Sequence, residues 1–173
     1  MLTIILIALA AVLATILVVA ALKSPDFSYT RSAVIAAPPD RVFGIVNNIR
    51  RWNDWSPWTT KHAAATAYTG PESGPGAVWS GKDEMGEGTL TVTAATPGEQ
   101  VVMRLEYVKP MACDNTVQFT FRQEGEGTRV TWTMTGKHNF IGKASNVVLN
   151  MDKLVGASFL KGLSNLGKLA TGA

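Results

Sequence analysis

The spacing of hydrophobic and polar positions changes character three times along the chain. Residues 1 to 22, MLTIILIALAAVLATILVVAAL, show no alternation: they contain no charge, no Gly and no Pro, and Thr3 and Thr15 are their only polar side chains. As a helix this run spans about 33 Å, enough to cross a hydrocarbon core of about 30 Å. Ser24 and Pro25 end it, leaving residues 23 to 26 as a short linker. FSYTRSAVIA, residues 27 to 36, mixes β-branched and aromatic residues with polar ones and predicts a strand. Pro38-Pro39-Asp40 stops that strand and opens a short helix, Asp40 to about Asn48, with Val42, Phe43 and Val46 on one side. RRWNDWSPW, Arg50 to Trp58, then gathers three tryptophans around Pro57 in what reads as a loop.

From residue 77 to 135 the period is two. AVWSGKDE and GEGTLTVTAAT predict a pair of strands joined at Gly86, although their glycines blur the alternation. VVMRLEYV sets Val101, Met103, Leu105 and Tyr107 on one face, TVQFTFR does so with Val117, Phe119 and Phe121, and RVTWTMT with Val130, Trp132 and Met134. Turns at Pro97-Gly98 and at Glu124 to Gly127 separate them, which predicts an antiparallel meander with one wet face. Beyond it the period becomes 3.6. Ala144, Val147, Val148, Met151, Val155, Ser158, Phe159, Gly162, Leu166 and Leu169 share one side of a single long helix, with Lys143, Asn146, Asn150, Lys153, Lys161, Ser164 and Lys168 opposite. The apolar stripe must be buried, and the inner face of the sheet is the nearest surface for it. The predicted class is α+β: one transmembrane helix, then a curved antiparallel sheet wrapped around a long C-terminal helix.

Composition adds a few exclusions. The chain has 173 residues, 46% hydrophobic and 17% charged, which suits one domain with a real core. A net charge of +3 with no basic cluster larger than Arg50–Arg51 argues against nucleic acid as a partner. The single Cys113 excludes an internal disulfide and any multi-cysteine metal site, and reads as a buried structural thiol. A cleaved signal peptide competes with the anchor reading, because Val19 and Ala21 offer a cleavage pattern; the missing basic n-region favours an uncleaved span. Lys23 and Arg31 follow that span and no Lys or Arg precedes it, which favours a cytoplasmic domain; a cleaved signal would instead make the domain secreted or periplasmic.

Candidate chemistry is sparse. His62 and His138 lie in polar segments and read as solvated loop residues. No GxSxG, HExxH or phosphate-binding glycine loop is present, and nothing implies a metal or cofactor. Asp83, Glu84 and Glu87 cluster at a hairpin that a solvated turn explains, and Asp152 sits at the edge of the helical stripe, facing either a cavity or solvent. Tyr107 and Arg104 fall on opposite strand faces and cannot act together. No catalytic set emerges.

The tryptophans carry more. Trp52, Trp55 and Trp58 either plug the core, or wall an apolar pocket with Met103, Tyr107, Phe119, Trp132 and Met134, or sit on a bilayer surface. Met151, Val155 and Phe159 on the helix face the same space. Gly156, Gly162 and Gly167 each cost the helix about 1 kcal/mol relative to Ala. They imply either close helix-on-sheet packing or room for a ligand.

Ala37-Pro38-Pro39 with Val42-Phe43, Ile45 to Asn48 running into the tryptophan block, and NMDKLVGASFLKGLSNL (residues 150 to 166) resemble the START-like or SRPBCC superfamily, in its polyketide cyclase/dehydrase branch. The resemblance covers roughly residues 27 to 169. It implies a helix-grip fold around an apolar cavity and, as ligand, a hydrophobic small molecule such as a lipid, sterol or polyketide. Three functions are in view. The preferred one is a domain tethered to the membrane by residues 1 to 22 that binds an apolar small molecule or lipid without catalysis. The alternatives are a cyclase or dehydratase using Asp152 or Tyr107, and a solid-core interaction module at the membrane.

Overall fold

The computed structural model describes residues 1–58, 66–83 and 86–172. Helix α1 (Leu2–Leu22) is uniformly apolar, with a mean hydropathy of 3.1. It is long and apolar enough to cross a membrane, a property it shares with signal sequences. Lys23 and Ser24 turn the chain into strand β1 (Asp26–Ile35). Pro39 occupies the first turn of α2 (Pro39–Asn47), where its missing N–H costs nothing, and Val42, Ile45 and Val46 are buried on its inner side.

The tryptophan block is not a loop. A 3-10 turn (Ile49–Arg51) runs directly into a short helix, α3 (Trp52–Trp55). Asn48 starts the turn, its side-chain oxygen accepting from the Arg50 N–H at 3.0 Å. Pro57 ends it, so only Trp58 lies outside helical backbone.

Six more strands follow among the described residues: β2 (Ala67–Thr69), β3 (Val78–Lys82), β4 (Glu87–Thr96), β5 (Gln100–Lys109), β6 (Cys113–Glu124) and β7 (Gly127–Lys137). With β1 they form one antiparallel sheet in the order β1-β7-β6-β5-β4-β3-β2. The period-two segments meet in register, Met103 opposite Val117 and Phe119 opposite Trp132. Val101, Met103, Val117, Phe119, Phe121, Val130 and Trp132 are buried, as the alternation predicts. Register shifts in β4, at Glu87/Gly88 and Val92/Ala94, help the sheet to curve.

The C-terminal helix differs from its prediction. It is two helices, α4 (Phe140–Val148) and α5 (Met151–Thr171), broken where Leu149 becomes extended and Asn150 caps the second, accepting from the Lys153 N–H at 3.0 Å. None of α4 is fully buried; it packs against α1 rather than the sheet, so Ala144, Val147 and Val148 leave the predicted stripe. Helix α5 lies across the sheet and buries Gly156, Phe159, Gly162, Leu163, Leu166 and Ala170, while Met151 and Val155 are partly buried beside them. The result is the expected α+β helix-grip architecture, preceded by an apolar helix.

Two smaller expectations also change. Cys113 is half-buried rather than buried, and receives a long contact from the Asn115 amide, 3.5 Å from its Sγ. His138 is no solvated loop residue. It stacks on Phe27 with centroids 4.4 Å apart, and its Nε2 lies 3.0 Å from the buried Tyr29 hydroxyl. His62 and Glu84 lie outside the described residues.

Candidate functional site

Sheet and α5 meet around Trp132. Its indole stacks on Phe159 with centroids 4.3 Å apart and planes 5° from parallel. Trp52, Trp55 and Trp58 approach it edge-on, at 6.1, 5.7 and 5.7 Å. Trp52 and Trp55 are buried and Trp58 is partly exposed. The helical turn explains this arrangement: residues 52 and 55 are three apart, so both point into the domain, and Pro57 turns the chain so that Trp58 closes the group from the side.

What remains between these rings is a chamber of about 10 Å³, the size that holds one water molecule. Trp52, Trp58, Tyr107, Trp132, Met134 and Phe159 line it, all among the expected pocket residues. Of the others, Trp55, Met103 and Phe119 are buried in the core, and Met151 and Val155 pack against its edge. Trp79, Leu90, Leu105, Val117 and Asp83 line the chamber too, outside the expected set. Trp79 and Leu90 pair across β3 and β4, where the glycines had obscured the alternation.

Gly162 does not leave space for a ligand. A Cβ there would come within 2.7 Å of the Trp132 ring and 3.0 Å of Pro57, so its smallness serves close packing. Gly156 has a similar reason on the outer flank. The Arg31 guanidinium occupies the place of its missing side chain, and donates to the Asp152 carbonyl at 2.8 Å and to both carboxylate oxygens at 2.9 and 3.1 Å. Asp152 therefore faces Arg31 near the surface, not the chamber, and that cation holds its carboxyl below the usual range. An enzymatic role for Asp152 loses its geometry.

The polar groups of the chamber come from elsewhere. The Tyr107 hydroxyl donates to Asp83 at 2.6 Å, so Asp83 is more than a solvated turn residue. Burial, reinforced by the Asp83 charge, pushes the phenol far above its ordinary value and keeps it a neutral donor. Among the described residues, the buried indole N–H groups of Trp79 and Trp132 find no hydrogen-bond partner, nor does that of Trp55 behind them. An unmet buried donor costs about 1–3 kcal/mol, so these are open demands for an acceptor. Among the described residues no three His, Cys, Asp or Glu side chains converge as a metal site.

The profile of a family described as polyketide cyclase / dehydrase and lipid transport matches residues 26–171. No curated protein matches. Among solved structures, the chain is similar to the Aha1 dimer from Colwellia psychrerythraea (15% identity, TM-score 0.59, covering 82% of this chain and 94% of that one). It is also similar to a Mycobacterium smegmatis protein (22%, TM-score 0.56, 84% and 91%) and to the di-domain ARO/CYC StfQ of the steffimycin biosynthetic pathway (12%, TM-score 0.61, 84% and 51%). At these identities the likeness is one of fold.

Proposed function

The chain belongs to the polyketide cyclase/dehydrase and lipid-transport family, and from that premise we propose that it is a membrane-tethered domain that binds a hydrophobic small molecule or lipid without transforming it. On this reading residues 1 to 22 are the anchor, 23 to 26 a linker and 27 to 170 the binding domain. The observation that carries the proposal is the pair of buried indole N–H groups, Trp79 and Trp132, that meet no acceptor among the described residues and belong to side chains lining a largely apolar chamber. An apolar molecule bearing one carbonyl, ether or hydroxyl oxygen meets both demands: it fills the aromatic surround and accepts from an indole. Entry requires a side chain to yield, and partly exposed Trp58 yields at least cost.

A solid-core interaction module is the second reading, favoured by the small volume of the chamber. One experiment separates the two. The chain's five tryptophans all lie in or against this chamber and none lies in α1, so intrinsic fluorescence reports on it alone. The full chain in detergent is titrated with brominated acyl, sterol and polyaromatic compounds. Saturable quenching by one class supports binding, and flat titrations across all three support the solid core.

A further inference from the structure

The strand register fixes which end of the domain faces the anchor. β1 begins at Asp26, three residues beyond Lys23, and Asp26 pairs with Lys137 at the end of β7. Across the sheet, Gly136 pairs with Asn115, Cys113 with Tyr107, and Lys109 with Glu87. The β5–β6 connection, residues 110 to 112, and the start of α4 therefore emerge at the end where α1 departs. Six apolar side chains there are exposed, from 46% for Met111 to 65% for Val148: Val108, Met111, Phe140, Ile141, Val148 and Leu149. The turns at the opposite end, residues 97 to 99 and 124 to 127, are Pro-Gly-Glu and Glu-Gly-Glu-Gly.

Helix length sets the depth. Twenty-one residues span about 31 Å, barely the thickness of a hydrocarbon core of about 30 Å. A spanning α1 has no turn to spare, so its last residues lie at the hydrocarbon edge. Helix α4 packs against α1, whose buried Ala20 and half-buried Ile16 lie about 3 and 9 Å before Leu22. The Lys143 ammonium donates to the carbonyls of Ala21 and Lys23 at 3.1 and 3.0 Å, placing its charge on the negative end of α1. α4 is thus held at the level where the acyl chains begin.

We propose that these six side chains seat the domain in the bilayer that holds α1, with α4 as an interfacial helix and the β5–β6 connection as a second point of contact. The proposal rests on α1 being a membrane span. Two of the cations at this end are paired, Lys137 with Asp26 and Lys109 with Glu87, so the apolar side chains carry the seating and anionic lipid can only add to it through Lys23 and Lys143. Tyr107 and Met134 sit toward the same end of their strands, which brings the chamber close to the lipid.

The test uses the full chain in phosphatidylcholine vesicles, with and without phosphatidylglycerol. In a Cys113→Ser background, nitroxides are placed one at a time through Met111→Cys, Phe140→Cys, Val34→Cys and Leu9→Cys. Val34 is exposed and apolar like the rim but lies at the far end of β1. The ratio of oxygen to water-soluble nickel-chelate collisions should be severalfold higher at 111 and 140 than at 34 and close to that at 9, with or without phosphatidylglycerol. Leu9 in lipid with 111 and 140 in water overturns the seating and leaves the anchor standing. Leu9 in water overturns both. Spin–spin broadening at 140 that disappears on dilution with unlabelled protein also overturns it, because a second copy then covers the face.

Discussion

The guanidinium of Arg31, on β1, fills the place of the side chain that Gly156, on α5, does not have. One glycine thereby lets a strand and the gripped helix be joined by a two-pronged ion pair through Asp152. Gly156→Ala removes a helix-weakening glycine yet displaces the arginine, so melting temperature should fall. Gly167→Ala is the matched control. Its new methyl meets Ile35 at an ordinary 3.8 Å, and the helix should gain up to about 1 kcal/mol, raising Tm by roughly 2–4 °C. Calorimetry of the two variants checks the opposite signs.

Gly162→Ala presses on two rigid groups, the Trp132 ring and Pro57. The expected cost is about 1–3 kcal/mol, as for overpacking in a dense core. Tryptophan emission should shift with it, because Trp132 sits at the centre of the aromatic group. A variant with wild-type Tm and emission would show that α5 is not held against the sheet at this point.

Trp55→Ala and Trp58→Ala should behave differently. Trp55 is 1% exposed and its loss should cost about 3–5 kcal/mol. Trp58 is partly exposed, so its removal should cost less while enlarging the chamber. Brominated ligands should then quench the remaining indoles at lower concentration than in the parent chain. Equal destabilisation by both changes, read by denaturant unfolding, would count against Trp58 as the yielding side chain.

Acid should weaken the fold in two separate windows. Burial pushes His138 below the ordinary imidazole value of about 6.5, so the unfolded chain binds the proton more tightly. Stability from His138 is complete above that value and falls as pH drops below it. Asp152, Asp114 and Glu124 are held low by Arg31, Arg104 and Arg129, so their contribution persists down to about pH 4 and is lost below it. These three are exposed and screened, which keeps the lower window shallow. His138→Phe, which preserves the stack on Phe27, should abolish the upper window alone in melts taken from pH 8 to 3.

The fold was legible where the chain's period matched one partner surface. Val117, Phe119 and Phe121 alternate because one sheet face meets the helices, Phe43 of α2 against Phe121 and Trp55 of α3 against Phe119, while the other meets water. The break at Leu149 was not legible. Val148 and Leu149 continue an apolar pattern, and Asn150 fits an outward helix position as well as a cap. Only the packing of α4 on α1 decides between these, and that contact joins residues more than a hundred positions apart. The chamber was half legible for a related reason. Gly81, Gly86 and Gly88 hid the inward rows of β3 and β4, so Trp79 and Leu90 were missed. Asp83 looked like any hairpin acid until the fold brought Tyr107 to it.

Lys143 holds the carbonyls of Ala21 and Lys23, and the backbone N–H of His138 binds the Pro25 carbonyl at 2.8 Å. The three residues joining helix and sheet are thus clasped from both sides. They form a bracket, not a leash. The domain does not swing about α1 as a Gly/Ser-tethered head would; it turns with it. On the proposed anchoring, a docking partner meets it in one orientation, and lateral diffusion of α1 carries an already aligned domain.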